Sequence, residues 1–144
     1  MKPYALAEGE GRTYDWHSVR FTIKAGAAET GGALSIWEVT TRKGEEPDIH
    51  VHEEDEIFYV LSGSLTFRCG GRSFKVRENG YIFLPRNIPH RYTIDSEEVR
   101  LLGFSTPSGF GDHIERTGKP LNPNASAGRQ IPPHELGLFR QSRP

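Results

Sequence analysis

The chain has 144 residues, a formal net charge of -1, and 18 basic and 19 acidic residues mixed along its length. This length suits one domain, and the absence of a basic stripe argues against a nucleic-acid partner. No segment approaches the ~20 apolar residues of a membrane span, so we expect a cytoplasmic protein without a membrane partner. Cys69 is the only cysteine, which excludes an internal disulfide, and we expect it to be a small strand residue.

The first half of the chain predicts short β-strands. Residues 1–17 are polar and contain glycine, so they predict an N-terminal arm that becomes ordered by adding an edge strand here or on a neighbouring copy. Apolar and polar residues alternate over 18–24, which indicates a half-buried strand. Residues 26–32 predict a loop, and the β-branched and aromatic residues of 33–41 predict the next strand.

The second half continues the same pattern. Leu65, Phe67 and Cys69 share one strand face, and Gly70 and Gly71 supply the positive φ angles that a two-residue hairpin turn needs. Further strands are predicted over 81–84, 90–95 and 99–104. The result is an all-β fold of about eight or nine short strands in two packed sheets, with a core barrel over about 18–105.

Residues 106–144 predict a C-terminal tail with short helical turns. Phe110 and Ile114 are four residues apart, as on one helix face, and Gly118 is expected to end that turn. Pro132 and Pro133 could open a second turn that includes the apolar residues of 136–139.

Two histidines and a glutamate form the first candidate site. Side chains two residues apart leave the same face of an extended strand, so His50 and His52 point the same way, with Cα atoms ~6.6 Å apart. Glu56 immediately precedes the apolar run 57–61, where an unpaired carboxylate would be costly to bury and a cation would remove that cost. The acidic residues 53–55 between them predict only a polar connection.

A later segment, GYIFLPRNIPH, predicts one more ligand. Pro85 stops the strand that precedes it, and Pro85 and Pro89 bracket a rigid corner that determines where His90 enters the following strand. Imidazole nitrogens and a carboxylate oxygen suit a transition metal ion, and several ions remain open because affinity order alone does not select one.

These two segments resemble the two motifs of the cupin superfamily. The first, Gly44-x5-His50-x-His52-x3-Glu56-x6-Gly63, matches at every position. The second, Gly80-x4-Pro85-x4-His90, is imperfect, with Asn87 where a glycine is frequent and Ile94 where an asparagine is frequent. The resemblance implies a single jelly-roll barrel, the double-stranded β-barrel of that family. It also implies one divalent ion of Fe, Mn, Ni, Co, Cu or Zn per chain, with ligands His50, His52, Glu56 and His90.

The layout of the whole chain is similar to bacterial quercetin dioxygenase-like cupins. That resemblance implies a metal-dependent dioxygenase acting on a small phenolic or enolisable substrate, with Glu56 as both ligand and general base. The apolar substrate pocket would be formed by inward strand residues, although plain core packing explains each of them equally well: Phe58, Val60, Leu65, Phe67, Phe83 and Tyr92.

Other functions stay open at this point. A metal-binding cupin could be a sugar isomerase or a lyase, or a non-catalytic module that binds or senses a small molecule. Arg68 and Arg91 alternate outward, which disfavours a sugar phosphate. The family resemblance and the arm also suggest a homodimer. His17, His113 and His134 predict surface histidines, and His113 is a candidate for contact with the site from the tail helix.

Overall fold

The computed structural model describes residues 2–121 of the chain. That part contains ten strands and two helices in this order: β1 (Arg12–Trp16), β2 (Val19–Ala25), α1 (Ala27–Thr30), β3 (Ser35–Arg42), β4 (Asp55–Ser62), β5 (Ser64–Cys69), β6 (Arg72–Arg77), β7 (Tyr81–Leu84), β8 (His90–Ile94), β9 (Glu98–Thr106), α2 (Gly109–Thr117) and β10 (Lys119–Pro120). None of the helices within 2–121 is long and apolar enough to cross a membrane.

The strands form two antiparallel sheets that share one core. Seven strands lie in the order β10-β1-β2-β3-β9-β4-β7, and three lie in the order β6-β5-β8. Phe58 of the larger sheet stacks on Phe67 of the smaller one, with ring centroids 5.7 Å apart. The predicted all-β jelly-roll barrel is confirmed, and the period-two alternation of its strands produces the buried layer between the sheets.

The hairpin between β5 and β6 follows the predicted turn chemistry. Gly70 and Gly71 both adopt positive φ angles, 58° and 79°. Cys69 ends β5 and is half-buried beside this turn. The turn brings Leu65 opposite Val76, and both side chains enter the core.

The N-terminal region takes part in the larger sheet of its own chain. Residues Arg12–Trp16 form β1 between β2 and β10, so the barrel begins about six residues before the predicted boundary at 18. The predicted loop over 26–32 was wrong for Ala27–Thr30, which form α1. The physical reason is a cap, because the Glu29 carboxylate accepts the backbone N–H of Gly26 at 2.9 Å.

Side chains of β1 hold α2 against the barrel. Arg12 donates to Glu115 and to the buried Glu29, with closest contacts of 2.9 and 2.8 Å. Tyr14 donates to Glu115 at 2.9 Å, and Trp16 donates to Thr117 at 3.0 Å. Burial, followed by the Glu115 carboxylate, raises the pKa of Tyr14 to about 12.

These contacts stabilise a helix that is longer than the single turn predicted for this segment. The structure has a nine-residue helix that ends at Gly118 as predicted. Ile114 is fully buried and Phe110 packs against the core, so the helix presents one apolar face to the barrel. The second predicted turn, around 132–139, lies outside the described residues.

Candidate metal centre and cavity

Four side chains converge at one end of the barrel. The structure brings together the predicted set His50, His52, Glu56 and His90, and one potential ligand atom from each lies within 4.8 Å of all the others. Glu56 lies on β4, and His90 is the first residue of β8. Two sheets therefore contribute to the cluster.

The segment that carries His50 and His52 is extended, yet only His50 pairs as in a strand, through an isolated bridge to His90. The backbone N–H of each donates to the carbonyl of the other, at 3.0 and 2.9 Å. The rings of His50 and His52 both leave the backbone toward the centre of the four-residue cluster, as the two-residue spacing predicted. Their ring centroids lie 5.6 Å apart.

The conformation of Asn87 explains why an asparagine can stand where the family motif frequently has a glycine. Its φ angle is 63°, in the left-handed region, where asparagine is tolerated better than most residues other than glycine. Its backbone N–H donates to the carbonyl of His52 at 2.9 Å. Asn87 therefore adopts the left-handed conformation that favours glycine at this position. Its hydrogen bond supports the segment that carries His52.

Backbone carbonyls orient all three imidazoles. The Nδ1 atoms of His50, His52 and His90 lie 2.8, 3.0 and 3.0 Å from the carbonyl oxygens of residues 48, 54 and 88, respectively. Because a carbonyl oxygen only accepts, each Nδ1 must donate, and each Nε2 of the neutral ring is left with a free lone pair. This is the tautomer that binds a metal through Nε2.

The carboxylate of Glu56 is enclosed by these rings. Its side chain is 3% exposed, and Oε1 lies 3.1 Å from His90 Nε2 and 3.5 Å from His52 Nε2. Burial alone would raise the pKa of Glu56, but the neighbouring His52 and His90 outweigh it, so the pKa is lowered. Glu56 in turn raises the pKa of His52, whereas burial lowers that of His50.

The four residues fit a metal ion. The Nε2 atom of His52 is buried and has no hydrogen-bond partner in the described structure, although an ionised carboxylate lies nearby. The Nε2 lone pair of His52 and the buried carboxylate of Glu56 both carry negative charge density. This arrangement is favourable only if a cation, either a proton or a metal ion, lies between them. Three imidazole nitrogens and one carboxylate oxygen are a donor set that divalent transition ions accept.

A cavity of about 840 Å³ opens above this cluster. Phe58 and Tyr92, both predicted for the pocket, lie in its wall. The remaining aromatic wall comes from elements distant in sequence, namely Trp16 of β1, Phe21 of β2, Trp37 of β3 and Phe110 of α2. The Phe110 ring lies 5.5 Å from the ring of His52, so the helix covers the cluster with an apolar surface.

The other predicted pocket residues lie elsewhere. Val60, Leu65 and Phe67 are fully buried in the core below the cavity, in agreement with plain packing. Phe83 was wrongly assigned, because it is 47% exposed on the outside of the barrel. Its neighbours Ile82 and Leu84 are the inward residues of β7.

The side chain of Glu54 also contacts the site, although the sequence did not single it out. Its carboxylate occupies the space above Gly109, the first residue of α2, where any other residue would carry a Cβ. One carboxylate oxygen lies 3.6 Å from His52 Nδ1. The neighbouring Asp55 instead forms an ion pair with Arg86 at 3.0 Å, so within this acidic run it is Glu54 that contacts both α2 and His52.

The mouth of the cavity carries exposed basic groups. His17 and His113 flank Trp16, with ring centroids 4.4 and 5.8 Å away, and Arg116 lies beside His113. Both histidines are exposed as predicted, and neither belongs to the four-residue cluster. His134 lies outside the described residues. The i, i+4 spacing of Phe110 and Ile114 was the sequence signal for the helix that forms this part of the cavity wall.

Comparison with known proteins gives a consistent family signal. The cupin domain family (Cupin_2) matches residues 37–104. Quercetin 2,3-dioxygenase of Bacillus subtilis is 28% identical over 121 residues, covering 83% of this chain and 36% of that enzyme. An uncharacterised protein of Streptomyces coelicolor, SCO3923, is 27% identical over 56 residues, covering 39% of this chain and 53% of that protein. The chain thus spans about a third to a half of these relatives.

Solved structures show the same fold. An RmlC-like cupin from Shewanella frigidimarina superposes with a TM-score of 0.62 at 16% identity, covering 74% of this chain and 92% of that one. KdgF from Halomonas sp. superposes with a TM-score of 0.63 at 16% identity, covering 74% of this chain and 94% of that one. At this identity the likeness concerns the barrel alone.

Proposed function

Because this chain belongs to the cupin superfamily, we propose that it is a metal-dependent dioxygenase acting on a small phenolic or enolisable substrate. The observation that carries the proposal is the position of the four-residue cluster at the floor of an aromatic-walled cavity. The Bacillus quercetin 2,3-dioxygenase supports this choice of reaction, although this chain spans only 36% of its length.

His50, His52, Glu56 and His90 would hold the ion, and their backbone hydrogen bonds keep the rings oriented before it binds. When bound, a redox-active divalent ion supplies Lewis-acid activation of a substrate oxygen and reactivity toward dioxygen. The aromatic wall binds a planar apolar body, and Phe110 keeps water away from the side chain of His52.

A carboxylate such as that of Glu56 is a weak base, which restricts the substrates that it can deprotonate. Glu56 is buried among the residues that line the cavity, where it would face a bound hydroxyl. A weak base matches a hydroxyl that is itself acidic, and phenols and enols are far more acidic than the alcohols of a sugar. Glu56 would therefore accept the proton of a phenolic or enolic hydroxyl.

The composition of the cavity wall also disfavours a sugar-phosphate isomerase. Arg116, at the mouth, is the single arginine or lysine among the described residues that line the cavity. Arg68 is exposed, and neither it nor Arg91 lines the cavity, as the strand alternation predicted. An anionic sugar would find mostly aromatic and acidic side chains there.

Oxygen consumption tests the proposal. The purified protein would be stripped of metal and reloaded separately with Fe, Mn, Ni, Co, Cu or Zn, and then screened with flavonols and β-diketones in an oxygen electrode. We expect uptake with at least one redox-active ion and none with zinc. Turnover of a substrate by the zinc form would instead indicate an isomerase or lyase. Tight binding of a phenol without any oxygen uptake would indicate a binding or sensing protein.

A further inference from the structure

Tyr92 is an aromatic residue of the cavity wall that also carries a polar group. It follows His90 by two residues on β8, so both side chains leave the same face of the smaller sheet and enter the barrel. Its ring packs against those of Phe67 and Phe58, with ring centroids 5.5 and 6.2 Å away. These contacts hold the ring of Tyr92 beside the four-residue cluster.

The hydroxyl of Tyr92 makes no hydrogen bond to any other residue within 2–121. Two other partly buried tyrosines differ in this respect. The hydroxyl of Tyr14 donates to Glu115 at 2.9 Å, and that of Tyr4 donates to the carbonyl of Lys24 at 2.6 Å. A tyrosine whose ring packs in a core usually has a partner for its hydroxyl. Because Tyr92 lines the cavity, a molecule bound there can be that partner.

The surroundings of this hydroxyl make it a hydrogen-bond donor. A phenol has an ordinary pKa of about 10, so it keeps its proton at neutral pH. Burial, followed by the negative charge of Glu56, raises the pKa of Tyr92 further. The carboxylates of Glu46 and Glu45, which also line the cavity, act in the same direction. The hydroxyl therefore offers its proton to an acceptor atom of a ligand, close to the carboxylate of Glu56.

Glu56 and Tyr92 are opposite in hydrogen-bonding character. The ionised carboxylate of Glu56 on the larger sheet can only accept, whereas the hydroxyl of Tyr92 on the smaller sheet can donate. We propose that Tyr92 determines substrate choice by donating a hydrogen bond to a carbonyl oxygen of the substrate, while Glu56 accepts the proton of the neighbouring hydroxyl. This inference rests on the proposed function, and it narrows the substrate class to keto-enols, in which a hydroxyl and a carbonyl lie close together.

A plain phenol would satisfy only one of these two groups. Its hydroxyl can interact with Glu56, but its ring offers the hydroxyl of Tyr92 no carbonyl oxygen. A site that hydrogen-bonds a ligand group discriminates against the analogue without that group, because the protein donor is left unpaired under the bound ligand. One such hydrogen bond corresponds to about a tenfold difference in affinity. The contact with Tyr92 should therefore favour the keto-enol by that factor.

Calorimetric titration of the zinc-loaded full chain tests this contact without oxygen chemistry. The probes are benzoylacetone, a keto-enol, and 2-naphthol, a phenol of similar size without a carbonyl. Tyr92→Phe should weaken binding of benzoylacetone about tenfold and change binding of 2-naphthol by about twofold or less. Because the hydroxyl has no partner within 2–121, the variant should keep the wild-type unfolding midpoint and zinc content. The matched control, Tyr81→Phe, removes a hydroxyl from a side chain that is 58% exposed outside the barrel, and it should bind both probes as the wild type does.

Equal effects of Tyr92→Phe on the two probes would overturn the inference. So would a wild type that does not bind benzoylacetone, or a Tyr92→Phe variant that loses zinc or stability, since the role of the hydroxyl would then be structural. If the expected selectivity is found but no redox-active ion supports oxygen uptake, the proposed reaction fails and the contact with Tyr92 stands. If oxygen is consumed but Tyr92→Phe leaves both affinities unchanged, the reaction stands and the contact with Tyr92 fails.

Discussion

Gly103 lies directly opposite Trp37 in the ladder between β3 and β9, and the indole ring of Trp37 fills the space that a Cβ atom on Gly103 would need. Trp37 is fully buried, and its ring centroid lies 5.1 Å from that of Phe110 in the cavity wall. The missing side chain of one residue therefore determines the position of the ring that supports the wall.

Replacement of Gly103 by alanine should destabilise the protein by ~1–3 kcal/mol, because the core would be overpacked. Urea denaturation followed by circular dichroism measures this change. The cost should be smaller when Trp37 is replaced by leucine in the same molecule, since the clash is with the indole. Strictly additive effects of the two substitutions would show that the contact does not determine the cost.

Substitution of a ligand should remove bound metal selectively. His52→Ala should reduce the metal content to a small fraction of the wild-type value, because it deletes one of four converging ligand groups. The matched control, His113→Ala, changes an exposed histidine at the cavity mouth and should retain full metal content. Elemental analysis after identical metal loading compares the two, and equal losses would place the site elsewhere.

Loss of the Glu54 carboxylate should weaken metal binding without removing a ligand. The Glu54 carboxylate lies 3.6 Å from His52 Nδ1, beside the carbonyl that accepts its N–H, and charged groups that support ligating histidines in this way are commonly worth ~10-fold or more in metal affinity. Glu54→Gln should therefore weaken binding of zinc about tenfold in a calorimetric titration. Glu53→Gln, the adjacent exposed acid, is the control and should bind as the wild type does. Indistinguishable affinities for the two variants would contradict this role of Glu54.

Metal affinity should fall as the pH falls. Histidine must be deprotonated to bind a metal, and Glu56 raises the pKa of His52 above its ordinary value of about 6.5. Proton competition should therefore begin above pH 6.5 and grow stronger below it.

The raised pKa of His52 has the opposite effect on the stability of the metal-free protein, which should increase as the pH falls. A histidine whose pKa is raised on folding contributes stability at low pH, and this contribution is lost as the pH rises through that pKa. The difference in melting temperature between metal-loaded and metal-free protein should thus narrow from about pH 8 to about pH 5.5. A constant difference over this range would exclude histidine ligation at the site.

The ion pair of Arg12 with Glu29 and the ion pair of Arg42 with Glu98 should differ greatly in their contribution to stability. Arg12→Ala leaves Glu29, whose side chain is 2% exposed, without its arginine, which should cost ~3–5 kcal/mol. Arg42→Ala breaks a surface pair with Glu98, in which the arginine side chain is 73% exposed, and should cost ~1 kcal/mol or less. Denaturant titration of both variants measures the difference, and comparable costs would contradict the role of burial.

Spacing along the chain was sufficient to group His50, His52 and Glu56 as a candidate metal site, and the resemblance to the family motifs added His90. His50 and His52 are two residues apart on an extended segment, and Glu56 precedes an apolar strand, so local geometry already directs them to one side. The positive φ of Asn87 shows how a departure from the motif can keep its backbone function. The all-β fold could be predicted for the same reason, since alternation and glycine turns are local signals.

The wall of the cavity could not be predicted in this way. Trp16, Trp37 and Phe110 meet over the ligands although up to 94 residues separate them along the chain. The contacts of Arg12 and Tyr14 with Glu115 that hold the helix there are equally remote in sequence. Such long-range partners leave no periodic pattern in the sequence.

Alternation along the chain predicts which residues share a strand face, whereas the packing of the sheets settles which of the two faces is covered. On β7, Tyr81, Ile82, Phe83 and Leu84 are all apolar, so alternation separates two sets without showing which one enters the barrel. The structure buries Ile82 and Leu84 and leaves Tyr81 and Phe83 outside. Burial depends on what packs against a strand, and that is a property of the assembled sheets.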